Sequence, residues 1–258
     1  MKFLSRLLWK SVPRRERDQL LYLVPDQDRQ AFVKALTGRS LYRACFDRQR
    51  CIFVHIPKCA GSSLAEGLLG QRNIGHIPLY WHQLADPERF DDYFKFAFVR
   101  NPWDRLVSAY LYLQRGGAPR RDRGWSRLVQ RFPDFDAFVQ HWLSPENARR
   151  SLLFLPQHEF VCDRFGLPGV DFIGRFENLA EDFASVAACL AMPARLPEVN
   201  RSPERQPYQE YYTQASRELV AQVYARDLQW FGYRFEGGWT PTPWLPESGR
   251  PAIGKAPD

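Results

Sequence analysis

Two short apolar runs constrain what this chain can fold into more than any other feature. Residues 51–56 (CIFVHI) and 94–99 (FKFAFV) are dense in β-branched and aromatic side chains and lack a polar face. Runs of this length and content read as strands buried on both faces, as in a parallel sheet. A turn and an amphipathic helical pattern follow each. After the first, Ser62 and Ser63 suit a helix N-terminus, and Leu64, Leu68 and Leu69 fall on one face. After the second, Pro102 sits in the expected first turn, with Leu106, Val107, Tyr110, Leu111 and Leu113 giving the apolar face. A short strand at 170–173 and helices at 134–143, 178–191 and 208–230 continue the alternation. The expected fold is α/β, with a central, mostly parallel sheet flanked by helices.

The 258 residues are 45% hydrophobic and 15% aromatic, enough to build one packed domain, assigned to 49–236. A basic lead-in at 1–48, with helical patterning at 20–24 and 31–36, is expected to pack on it. The tail 237–258 holds Pro241, Pro243, Pro246, Pro251 and Pro257 and reads as irregular. The segment 115–125 (RGGAPRRDRGW) reads as a mobile surface loop over an acceptor site. A net charge of +7 favours anionic partners without choosing among them. The five cysteines form no CxxC pair, so neither a zinc site nor a disulfide framework is indicated, and a reducing compartment is the simpler reading. Phe3, Leu4, Leu7 and Leu8 make an apolar stripe that Lys2, Arg6 and Lys10 interrupt, so no signal peptide or membrane anchor is expected. Such a stripe suits packing against the domain, with peripheral contact to a membrane surface as the alternative.

Chemistry concentrates in Pro57, Lys58, Cys59, Ala60, Gly61, Ser62 and Ser63, between the first strand and its helix. Amides at a helix N-terminus point toward an anion, a glycine permits close approach, the serines add hydroxyls and the lysine adds charge. The order is not GxxxxGK[ST], which disfavours an ATP or GTP hydrolase, and an ordinary strand-turn-helix connection remains an alternative for this stretch alone. The second strand adds Arg100 at its end and Ser108 eight residues on, two helical turns away. A guanidinium fork with a hydroxyl suits a phosphate monoester at the carboxyl edge of the sheet. Arg105 reads as a surface or salt-bridging residue.

Together, HIPKCAGSS and FAFVRNPWDRLVSAY resemble the donor motifs of the carbohydrate sulfotransferases of the heparan and chondroitin type, in a bacterial-like form. The resemblance extends through FIGRFENL at 172–179 and YARDLQWFGY at 224–233, covering about residues 50–235. It implies a P-loop-NTPase-like sulfotransferase fold and the donor 3′-phosphoadenosine-5′-phosphosulfate (PAPS). Lys58, Gly61, Ser62 and Ser63 would grip the 5′-phosphosulfate, and Arg100 and Ser108 the 3′-phosphate. It further suggests that 200–205 approaches the nucleotide, that no metal is needed, and that the acceptor is a carbohydrate or glycolipid.

Sulfuryl transfer needs a base beside the acceptor, and His76 leads the candidates, followed by His82, His158 and Glu177. Glu177 reads first as a helix-start or sheet-end residue, while His55 and His141 read as structural. The missing anchor points to a bacterial cytoplasmic setting. Two other readings compete: a kinase with a variant phosphate loop, lacking a strand-end aspartate for magnesium, and a basic nucleic-acid binder, lacking any motif for specific recognition.

Overall fold

Three strands, β1 (Cys51–Val54), β2 (Phe94–Val99) and β3 (Phe172–Arg175), form one parallel sheet in that order. The computed structural model describes residues 11–13, 16, 20–21, 23–36, 39–118, 122–193, 195–197 and 205–240. The central position of β2 matches its composition, since all its residues after Phe94 are buried. Cys51 lies opposite Phe94, and Phe96 opposite Phe172.

The third strand starts two residues later than its apolar run suggests. Asp171 supplies the reason: its amide donates to the Lys95 carbonyl (2.7 Å) and its Oδ2 accepts from the Lys95 amide (2.7 Å). A carboxylate therefore replaces one rung of the ladder, and regular pairing begins at Phe172. It then continues through Gly174, where the Phe98 ring leaves no space for a side chain.

The helices that position the site are α1 (Asp26–Leu36), α2 (Gly61–Leu69), α3 (Pro102–Gln114), α4 (Phe135–Trp142), α5 (Leu179–Cys189), α6 (Gln214–Val223) and α7 (Ala225–Phe231). Helix α3 starts with Pro102 at its first turn, behind Asn101, whose side chain accepts from the Trp103 amide. One core cluster joins the sheet to α2, α5 and Phe231. A second joins α3 to α4 and α6 through Tyr110, Phe138 and Val220.

Two further expectations are corrected. The pattern at 208–230 is not one helix: Thr213 and Ser216 form a capping box that starts α6, and Tyr224, whose hydroxyl donates to Phe154, separates α6 from α7. Ser62 and Ser63 do lie at the helix N-terminus as expected, within the first turn of α2 and behind Ala60 at the cap position. The loop at 115–125 is shorter than expected, because a helix begins at Arg123 and Asp122 is buried.

In the lead-in, α1 and a short helix at Ala44–Gln49 precede β1. The apolar stripe at 3–8, residues 200–204 of the segment expected near the nucleotide, and the tail prolines lie outside the described residues. Among the described residues, no helix is long and apolar enough to cross a membrane.

A Cβ at Gly174 would sit 2.4 Å from a Phe98 ring carbon. Gly174→Ala should therefore lower unfolding stability by about 1–3 kcal/mol, measured by urea denaturation.

Candidate active site

The loop from Pro57 to Ala60 is built by turning its carbonyls backward. Arg105, buried on α3, donates from Nε to the Pro57 carbonyl (3.0 Å), and Arg100 donates from Nη1 to the Lys58 carbonyl (3.2 Å). A trans peptide sets its C=O and N–H in opposite directions, so the amides of Lys58 and Cys59 face away from the two guanidiniums. Lys58 and Ala60 hold φ of 72° and 58°, the left-handed region that residues other than glycine seldom occupy. Alternation about Cys59 thus gives a concave row of amides running into the first turn of α2, which has no side-chain cap. Gly61 is required for another reason: a Cβ there would lie 1.9 Å from the His55 ring.

The second motif packs directly on this loop. Arg100 is buried; its Nε donates to Asp104 (2.7 Å) and its guanidinium carbon lies 3.8 Å from the Phe176 ring centroid. Asp104, Ser108 and Tyr112 follow at four-residue spacing on α3, so they share one face. The Lys58 ammonium sits 4.3 Å from the Tyr112 ring centroid at the far end of that face. Asp104 also pairs with Arg205, the described end of the 200–205 segment.

Lys58 loses much of its usual basicity, falling to about 8, chiefly through burial and then through the neighbouring Arg100 charge. Cys59 moves the other way: burial pushes its thiol up to about 12, and its Sγ lies 3.4 Å from Gln157 Oε1. It is a packing residue in a neutral state.

The candidate bases separate by environment. His76 is half-buried, its Nδ1 lies 2.8 Å from the His55 carbonyl, and the two rings stand 4.2 Å apart at their centroids. A carbonyl only accepts, so Nδ1 carries a proton, and in the neutral ring Nε2 is then the atom that can accept one, the tautomer a base requires. His82 is different: it is buried between Tyr42 and Phe46, and burial lowers it to about 4. His158, expected near an acceptor cleft, instead donates from Nδ1 to buried Asp227 (2.7 Å) and ties the helix His158–Val161 to α7. Glu177 accepts from the Asn101 amide (2.6 Å) and the Tyr233 hydroxyl (2.7 Å), so both its oxygens are committed. His141 is exposed on α4.

Arg105 is buried rather than at the surface as the sequence suggested, and it makes no salt bridge among the described residues. It also donates to the carbonyls of Leu155 (2.9 Å) and Leu152 (3.3 Å). Gln157, a residue no motif marks, is fully buried and accepts from the Arg100 amide (2.9 Å) while donating to the Arg100 carbonyl (2.7 Å). Asp227 receives the amides of Gln157 (2.7 Å) and His158 (2.9 Å). Asp104 was foreshadowed by its position four residues after Arg100. Among the described residues, no group of three His, Cys, Asp or Glu side chains is placed to hold a metal ion.

A family model described as "Sulfotransferase family" matches residues 44–234. An uncharacterized protein of Archaeoglobus fulgidus is 34% identical over 107 residues, which cover 42% of this chain and 75% of that protein. Carbohydrate sulfotransferase 14 of Homo sapiens is 30% identical over 201 residues, covering 67% of this chain and 51% of the relative, and its Mus musculus counterpart aligns equally. The chain thus spans about half the length of these two mammalian relatives. No solved structure matches significantly.

Replacing Gln157 by Leu should leave the Arg100 amide and carbonyl buried without partners. A loss of roughly 2–5 kcal/mol in denaturant unfolding is expected.

Proposed function

The chain belongs to the sulfotransferase family, and from that premise we propose that it moves the sulfuryl group of PAPS to a hydroxyl or amine of a carbohydrate. The observation that carries this reading is the loop whose Pro57 and Lys58 carbonyls are drawn onto Arg105 and Arg100. Its amides, the first turn of α2 and the Lys58 ammonium then form an anion cradle in the position of a P-loop, with a different order of glycine and lysine. The likeness to carbohydrate sulfotransferase 14 supports the choice of a carbohydrate acceptor.

In this reading the Lys58 and Cys59 amides and the Ser62 and Ser63 hydroxyls hold the non-bridging oxygens of the 5′-phosphosulfate. Arg100 and Ser108 hold the 3′-phosphate. The acceptor oxygen or nitrogen attacks sulfur in line, and the bond from sulfur to the bridging phosphate oxygen breaks. Lys58 donates to that bridging oxygen as charge develops on it, and the acceptor proton passes to His76 Nε2. The products are the sulfated acceptor and the desulfated nucleotide. The chemistry asks for no metal.

Calorimetric titration with the desulfated nucleotide, followed by transfer from labelled PAPS to a polysaccharide panel, tests the proposal. Absence of nucleotide binding would refute it. Lys58→Ala should lower kcat by about 10²-fold or more, the scale of one lost charge-stabilising donor. His76→Ala should lower kcat by about 10²- to 10⁴-fold while leaving nucleotide affinity nearly unchanged.

The pH dependence has a definite sign. Lys58 acts when protonated, and its lowered value near 8 places loss of charge within the assay range. For donor-limited turnover, kcat/KM should therefore fall as pH rises through about 8, and Lys58→Arg should move that limb upward.

A further inference from the structure

Helix α3 contributes more to the loop than the residues already assigned to it. Tyr112 ends the series Asp104, Ser108, Tyr112, and its ring lies under the Lys58 ammonium at 4.3 Å. Its hydroxyl donates to Asp122 Oδ2 (2.7 Å), which also accepts from the Ala118 amide (3.2 Å). Asp122 is only 4% exposed, and its carbonyl accepts from Ser126 (2.8 Å) to begin the helix Arg123–Val129. Gly117 makes the closure possible, since a Cβ there would stand 2.9 Å from Asp122 Cβ. Donation to a carboxylate enriches the phenol ring, which strengthens the attraction of its face for a cation.

We propose that Tyr112, held by Asp122, is a positioning residue for Lys58: the ring keeps the ammonium charged and aimed at the donor, and couples the segment after α3 to the loop. This rests on the reading of Lys58 as the donor lysine. The pairing answers a local difficulty. Burial first, then Arg100 at the end of β2 and Arg105 on α3, oppose the charge on Lys58, whereas Cys59 and Asp122 favour it. Of the groups favouring it, Cys59 is in its neutral thiol form, so Tyr112 and Asp122 are the lasting support.

Competitive labelling of amines with acetic anhydride, read by mass spectrometry across pH, reports Lys58 titration in the free protein and requires no turnover. Wild-type Lys58 should titrate near 8. In Tyr112→Leu the midpoint should fall by roughly 0.5–1 pH unit, the size of one partly desolvated cation–π contact. Asp122→Asn should move it the same way, and Tyr112→Phe, which keeps the ring, should move it less. In donor-limited transfer assays, the alkaline limb of kcat/KM should shift with each variant by the same amount. A Lys58 midpoint in Tyr112→Leu equal to wild type overturns the proposal, even if activity has fallen. If that variant does not fold, an unmoved midpoint in Asp122→Asn does so. Loss of sulfuryl transfer in the wild-type protein would refute the function while leaving the labelling result intact.

Discussion

The site depends on two buried guanidiniums that grip a loop by its carbonyls. Lys58 and Ala60 occupy left-handed backbone positions at a cost of about 1–2 kcal/mol each, and neither is a glycine. Arg105 and Arg100 supply the compensating hydrogen bonds, and each is fixed in turn. Arg105 is anchored by the Leu152 and Leu155 carbonyls, and the backbone of Arg100 by Gln157. Asp227 then holds the backbone of Gln157 from α7. The geometry of a four-residue turn near the start of the domain is thereby set by a helix close to its end.

That arrangement also settles the electrostatics. Lys58, Arg100 and Arg105 bring three cationic side chains against one loop. Asp104 lies at one end, divided between Arg100 and Arg205, and Asp122 at the other, bonded to Tyr112. The balance stays positive, which suits a ligand carrying more than one negative charge. The lowered basicity of Lys58 belongs to this state: burial and Arg100 penalise its charge, and an anion in the cradle would reverse the penalty.

Much of this was legible from residue order, because strands buried on both faces carry their own signal. The runs at 51–56 and 94–99 became β1 and β2, and Pro102 marked the start of α3. The third strand was misplaced because Gly174 and Arg175 carry no apolar signal, although both pair with β2. Roles that rest on long-range contacts were also hidden. Gln157 meets Arg100 across 57 residues and Arg105 meets Pro57 across 48, and no local periodicity encodes such distances. The histidines show the same limit: His76, His82 and His158 look alike in sequence, and only burial and partners separate them.

The two sides of the site draw on different parts of the chain. Every residue of the loop and of the α3 face lies within the family match at 44–234. His76 lies within it too, yet its backbone amide donates to Gln30 Oε1 (3.1 Å) on α1, which precedes the match. The same helix accepts from Trp81 Nε1 through Asp28 (2.7 Å) and from the Leu152 amide through Asp26 (2.9 Å). Leu152 is the residue whose carbonyl helps anchor Arg105. Helix α1 therefore braces both the segment that carries His76 and the wall behind the donor loop. Changes in the lead-in would reach the His76 side directly and the donor side through Arg105, which makes α1 a structural part of the domain rather than an appendage to it.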